Sequence, residues 1–163
     1  TKISKNSILI LGDFLRRETD ILMGLIDEAK ALINRKNNFI VKPHPACSIY
    51  SDDYPELDLF VTNNEIHSLL DQCVLAICSS STSAAVDCYY AGTPVVTVLD
   101  PESLNLSPLR GNEDVIFVSS AEELSRVLNN SDKIKISSMQ DKDYFYSNPE
   151  LLKWKKLLFS GNN

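Results

Sequence analysis

The amino-acid sequence predicts a Rossmann-like, three-layer α/β/α fold around a parallel sheet of about six strands. Three observations carry this: short runs that are almost wholly apolar, amphipathic helical stretches between them, and turn residues at the junctions. Strands covered on both faces need no alternation of polar and apolar residues. Strands that alternate with helices call for a parallel sheet with helices on both sides. A chain of 163 residues can remove about two-thirds of its unfolded surface from water in one core. A single domain over residues 1–163 is therefore expected.

The first strand is "SILIL", Ser7 to Leu11, closed by Gly12. A helix is expected from Asp20 to Asn34, with Ile21, Leu22, Leu25, Ile26, Ala29, Leu32 and Ile33 on one stripe. Thr19 would cap it, and Arg35 and Lys36 would meet the negative end of its dipole. "FIV", Phe39 to Val41, is the second strand and runs into "KPHP"; "LDLFVT", Leu57 to Thr62, is the third. Ile66, Leu69 and Leu70 mark a short helix between Glu65 and Gln72, followed by the strand "VLAIC", Val74 to Cys78.

A helix from Ala84 to Ala91 should end at Gly92, with Pro94 beyond it, and "VVTVL", Val95 to Leu99, is the next strand. "DVIFV", Asp114 to Val118, leads to a helix announced by the capping-box pair Ser120 and Glu123. The polar stretch Asn129 to Asn148 reads as a loop or crossover. Pro149 then opens a basic amphipathic helix carrying Leu151, Leu152, Trp154, Leu157 and Leu158.

A net charge of -6 and a pI near 4.9 argue against nucleic acid or an anionic membrane surface as partner, because both need concentrated Lys and Arg. No apolar run approaches the ~20 residues of a membrane helix, so no transmembrane segment is expected. Cys47, Cys73, Cys78 and Cys88 show no C-x-x-C spacing and read as free, mostly buried thiols in a reducing compartment; no metal site is expected. The chain opens with Thr1 and has no signal-peptide pattern, which reads as a segment of a longer protein.

In an open parallel sheet, ligands bind beyond the carboxyl ends of the strands. That rule selects Gly12 to Arg17, Lys42 to Pro45, Thr62 to Glu65, Ser79 to Ser83 and Asp100 onward. Ser79, Ser80, Ser81, Thr82 and Ser83 stand where a strand turns into a helix, so hydroxyls and backbone N–H groups can converge on an anion. An N-cap needs only one of the five. Asp87, one turn further, could reach a ribose diol or simply face solvent. Lys42 and His44 directly follow a buried strand, with Pro43 and Pro45 stiffening the backbone. Histidine so placed can donate to a phosphate or act as acid or base, whereas a His packed in a loop is the plainer alternative. His67 reads as structural. Arg16 and Arg17 approach the same rim, though exposed arginines before a helix are commonly solvated. There is no G-x-G-x-x-G, G-x-x-x-x-G-K or G-x-S-x-G, and no pair of metal-spaced histidines.

"VKPHP", followed downstream by "SSSTSAAVDCYYAGTPVV", resembles the C-terminal, nucleotide-sugar-binding half of GT-B glycosyltransferases. The nearer likeness is to bacterial surface-carbohydrate and capsule enzymes with an HP motif, including sialyl- and Kdo-type transferases that use CMP-sugars. Nonhydrolysing UDP-N-acetylglucosamine 2-epimerases are also similar, down to the Gly-x-Pro-Val that matches Gly92, Pro94 and Val95. The resemblance implies a phosphate-binding turn at Ser81, Thr82 and Ser83, with Asp87 on the ribose and His44 at the donor phosphate as the catalytic group; Lys42, Ser80 and Arg16 join the expected donor-binding set by their placement after strands.

Thr82 and Ser83 stand where the epimerases have glycines, and Val86-Asp87 where they have paired glutamates, which favours transferase. The implied ligand is a CMP- or UDP-linked sugar, used as donor substrate with no separate cofactor. The implied partner is an N-terminal acceptor domain of a two-domain parent, without which the chain would be largely inactive. The implied location is the cytoplasm, at the inner face of the membrane through that parent. Two alternatives stay open: an epimerase-like half, and a noncatalytic α/β module in which Ser79 to Ser83 only cap a helix.

Overall fold

The computed structural model describes residues 7–136 and 150–159. Six strands, β1 (Ser7–Leu11), β2 (Asn38–Lys42), β3 (Leu59–Val61), β4 (Cys73–Ser79), β5 (Val95–Val98) and β6 (Ile116–Val118), form one sheet. Every pairing is parallel, and the order is β3-β2-β1-β4-β5-β6. The chain thus builds outward from β1 to β3, crosses back beside β1 with β4, and builds the other way. The Rossmann-like α/β/α expectation holds, with six strands.

Helices α1 (Arg16–Lys30) and α4 (Ala121–Asn129) cover one face, and α2 (Ile66–Leu70) and α3 (Ala84–Tyr90) the other. The split follows from the period of two in each strand. Ile8, Ile10, Leu75, Ile77, Val96 and Val98 meet Leu22, Met23 and Ile26 of α1 and Leu124 and Leu128 of α4. Leu9, Leu11, Ala76, Cys78 and Val95 meet Leu69, Leu70, Ala85, Cys88 and Tyr89 on the far side. The cysteines are free, with Cys47, Cys78 and Cys88 buried and Cys73 half-buried. Burial pushes the Cys73, Cys78 and Cys88 thiols up to about 12, which keeps them protonated and inert.

The largest departure from the sequence reading is α1. It starts at Arg16 and ends at Lys30 rather than running from Asp20 to Asn34, and its N-cap is Leu15, not Thr19. Thr19 is fully buried within the first turns, where its Oγ1 accepts from Asp13 N at 3.1 Å and donates to Asp13 O at 3.1 Å. At the far end, Leu32 N and Ile33 N bond back to Ala29 O and Lys30 O in a turn. Asn34 N donates to Asn129 Oδ1 of α4 at 2.8 Å. The apolar stripe therefore continues past the helix into a turn that docks on α4.

A fifth helix, α5 (Leu152–Phe159), matches the basic amphipathic stretch expected near the end, and all of its residues are exposed. Pro149 and most of the loop expected over Asn129 to Asn148 lie outside the described residues. No helix among them is long and apolar enough to cross a membrane.

Candidate functional site

The point where the sheet changes direction lies between β1 and β4. Connections leave these two strands toward opposite faces, which opens a crevice beyond their carboxyl ends. A cleft of about 150 Å3 occupies this place, lined by Gly12, Asp13 and Phe14 after β1, by Lys42, Pro43, His44 and Pro45 after β2, and by Ser81, Thr82 and Ser83 after β4. Ile66 and Ala84 add apolar surface. Three segments distant in sequence meet here because their strands are neighbours in register: Leu11 pairs with Lys42 and with Cys78.

Gly12 permits the approach. A Cβ at this position would stand 3.1 Å from His44 N and 3.2 Å from Pro43 Cα, and Gly12 N donates to Lys42 O at 3.0 Å. The KPHP segment is turned back by a bond from Cys47 N to His44 O at 2.9 Å. Within that turn His44 Nδ1 accepts from Ala46 N at 3.1 Å. An Nδ1 that accepts places the ring proton on Nε2. His44 is exposed, its ring edge-on to Phe14 with centroids 6.2 Å apart, so it offers an Nε2–H donor at the cleft. Lys42 Nζ reaches the same rim and bonds to Asn63 O at 3.5 Å.

The opposite wall is organised by Asp13, a residue that was not singled out from the sequence. Asp13 is 1% exposed. Its Oδ2 accepts from the hydroxyls of Ser79, Ser81 (2.7 Å) and Thr82 (3.1 Å), and its Oδ1 accepts from Leu15 N at 2.9 Å. Ser79 Oγ and Thr82 Oγ1 also stand 2.9 Å apart, so one of the two hydroxyls can give its proton to the other in place of Asp13. Burial pushes the Asp13 carboxyl up, but the bonds from Leu15 N–H and the three hydroxyls outweigh it, and the net shift is downward. Asp13 is thus an ionised, hydrogen-bonded carboxylate, and not a free base.

The structure brings Lys42, His44, Ser81, Thr82 and Ser83 together at one cleft. It does not bring Arg16 there. Arg16 donates to Ser48 O at 2.9 Å and pairs with Asp20 at 3.6 Å, and it lines a separate groove on the outer side of α1. The residue rises from the first turn of α1, and with the helix starting at Arg16 its side chain points along the outer face. Arg17 is held by Asp100, Glu102 and Ser103. The Glu102 N–H and the Ser103 hydroxyl, more than Arg17, hold the Asp100 carboxyl below its ordinary range. Asp87 is exposed on α3 and Ser80 is buried, and neither lines the cleft. The signal for Asp13 was present in "LGD": an acid two residues past a buried strand lands on the rim. Among the described residues no cluster of His, Cys, Asp and Glu could hold a metal ion.

No family model and no curated protein matches the chain. Among solved structures, MurG of Acinetobacter baumannii is similar, with a TM-score of 0.57 and 14% sequence identity. The match covers 80% of this chain and 42% of that one, so the chain spans less than half the length of the structure it resembles. At this identity the likeness establishes the fold alone. The chain has the Rossmann-like α/β fold of a GT-B domain, with its cleft at the switch point of the sheet.

Proposed function

We propose that the chain is the nucleotide-sugar-binding domain of a GT-B-type glycosyltransferase, and that its substrate class is the sugar donor of bacterial surface-polysaccharide synthesis. One observation carries this reading: the cleft at the β1/β4 switch point gathers Lys42 and His44 from the end of β2 and Ser83 from beyond β4 onto a space of about 150 Å3. That volume is below the ~300–1,000 Å3 of a pocket that encloses a small ligand. It suits a phosphate and its adjoining sugar, with a further wall supplied by another domain. The GT-B fold and the KPHP and SSSTS segments support this, and the likeness of those segments to CMP-sugar enzymes supports CMP over UDP.

In such a reaction the bond between the donor sugar and its phosphate breaks and negative charge grows on the phosphate oxygen. The His44 Nε2–H, fixed by the Ala46 N–H on Nδ1, donates more strongly as that charge develops, and the Lys42 ammonium adds a positive field. His44 then serves as a leaving-group stabiliser.

The test is a calorimetric titration of the chain with CMP, CDP, UMP and UDP, repeated on His44→Ala. Binding that His44→Ala weakens by about 1.5–3 kcal/mol, the value of a hydrogen bond to a charged group, supports the reading, and the preferred base separates CMP- from UDP-linked donors. A second reading, a noncatalytic module, is favoured by one observation: the Ser79, Ser81 and Thr82 hydroxyls already donate to Asp13. It predicts no saturable binding of any of the four nucleotides.

A further inference from the structure

The cleft has two walls of opposite hydrogen-bonding sense. On the β2 side His44 presents Nε2–H and Lys42 its ammonium, both donors. On the β4 side Ser81 gives its proton to Asp13 Oδ2, and the Thr82 proton is taken inward by that same oxygen or by Ser79 Oγ. A hydroxyl has one proton and two lone pairs. Once its proton is committed inward, what it turns to the cleft is acceptor only. Ser81 and Thr82 line the cleft and are half-buried there, with Asp13 directly beneath them.

A phosphate set against this wall would meet lone pairs, with an anionic carboxylate one hydrogen bond behind them. Two like charges so close, partly shielded from water, repel one another. A sugar hydroxyl, by contrast, brings the proton that such a wall lacks. The phosphate belongs on the donor wall.

We propose that Asp13 is a positioning residue that makes Ser81 and Thr82 an acceptor surface for the hydroxyl groups of a sugar ring, while the attached phosphate is taken by His44 and Lys42. The ligand class is a phosphorylated sugar, read in a set orientation: phosphate toward β2, hydroxyls toward β4. This rests on the nucleotide-sugar reading above and sharpens it, because it reverses the role that a hydroxyl-rich turn before a helix would ordinarily take. Ser83 stands outside the Asp13 cluster, exposed at the rim, and is free of this constraint.

The test is a backbone-amide NMR titration of the chain with inorganic phosphate, then with ribose 5-phosphate, CMP and UMP. Expected are shifts confined to Lys42–Ala46 with inorganic phosphate, and added shifts over Ser79–Ala84 with ribose 5-phosphate. Ser81→Ala, which removes one acceptor and leaves the carboxylate in place, should lower ribose 5-phosphate affinity by about tenfold without changing that for inorganic phosphate. Asp13→Asn should draw inorganic phosphate onto Ser79–Ala84, because the charge behind that wall is gone.

Inorganic phosphate that shifts Ser79–Ala84 in the unaltered chain overturns the proposal, even if CMP or UMP binds well. So does an equal loss of both ligands in Ser81→Ala. Ribose 5-phosphate that binds in the expected orientation, with no gain from a base in CMP or UMP, sustains the proposal and overturns the nucleotide reading alone. Absence of any shift at millimolar ribose 5-phosphate overturns both.

Discussion

Gly12 is the residue on which the cleft geometry turns, because two of the three atoms a Cβ would meet belong to the backbone of the KPHP segment, His44 N at 3.1 Å and Pro43 Cα at 3.2 Å, the third being Ile49 Cδ1 at 3.2 Å. Backbone cannot rotate away as a side chain can, so Gly12→Ala should push His44 outward and cost about 1–3 kcal/mol of stability. Chemical denaturation measures the cost, and a nucleotide titration the accompanying loss of affinity. Asp13 makes a second expectation. Its folded pKa lies below the ordinary value of 3.8, so the folded state holds fewer protons than the unfolded chain near that value. The stabilisation is present above pH 3.8 and is lost as pH falls through the folded value. Urea unfolding at pH 5, 4 and 3 should therefore show a steeper acid loss in the native chain than in Asp13→Asn. At this scale the sequence was half legible. His44 and the Ser81–Ser83 turn follow strands directly, so the rule for strand ends finds them. Asp13 follows β1 as directly, but its meaning depends on hydroxyls contributed by β4, a partnership no local pattern announces. Arg16 was misplaced because its orientation depends on where α1 begins.

The helices divide by whether their ends are set locally. At α4, Ser120 Oγ accepts from Glu123 N at 3.2 Å and Glu123 Oε2 accepts from Ser119 N at 2.8 Å, and the capping pair was readable in four residues. At α3, Gly92 has φ +81, with Thr93 N bonded to Cys88 O and Gly92 N to Tyr89 O, the paired closure that a left-handed residue after a helix allows. Gly92→Ala should cost about 1 kcal/mol, seen as a lowered denaturation midpoint, and should leave ligand affinity unchanged because nothing at Gly92 faces the cleft. At α1 only the far end is set at a distance: the start is a local turn in which Asp13 Oδ1 accepts from Leu15 N two residues on, whereas beyond the finish Asn129 of α4 receives Asn34 N. Periodicity placed this helix four residues late because the apolar stripe runs on through Leu32 and Ile33 into the turn after Lys30, and because the Asp13 turn that opens the helix carries no apolar signal.

The alternation of apolar runs with amphipathic stretches was enough to read a parallel sheet with two covered faces, because each strand had to be apolar on both sides. The strand order, and with it the switch point between β1 and β4, came from the crossover of the chain between β3 and β4, which depends on which strands pair across long separations. One part of the molecule stands apart from both cores. Trp154, the single tryptophan, lies in α5, whose residues are all exposed; Trp154 itself is 60% exposed and Phe159 76%. Neither apolar cluster on the sheet includes a residue of α5. Trp154 should therefore emit as a water-exposed indole in the folded chain, and its emission maximum should hardly move through the transition that far-UV circular dichroism records as the sheet and its helices unfold. A blue-shifted native emission that moves with that transition would place α5 against the folded core, and one that depends on protein concentration would place it against a second copy of the chain.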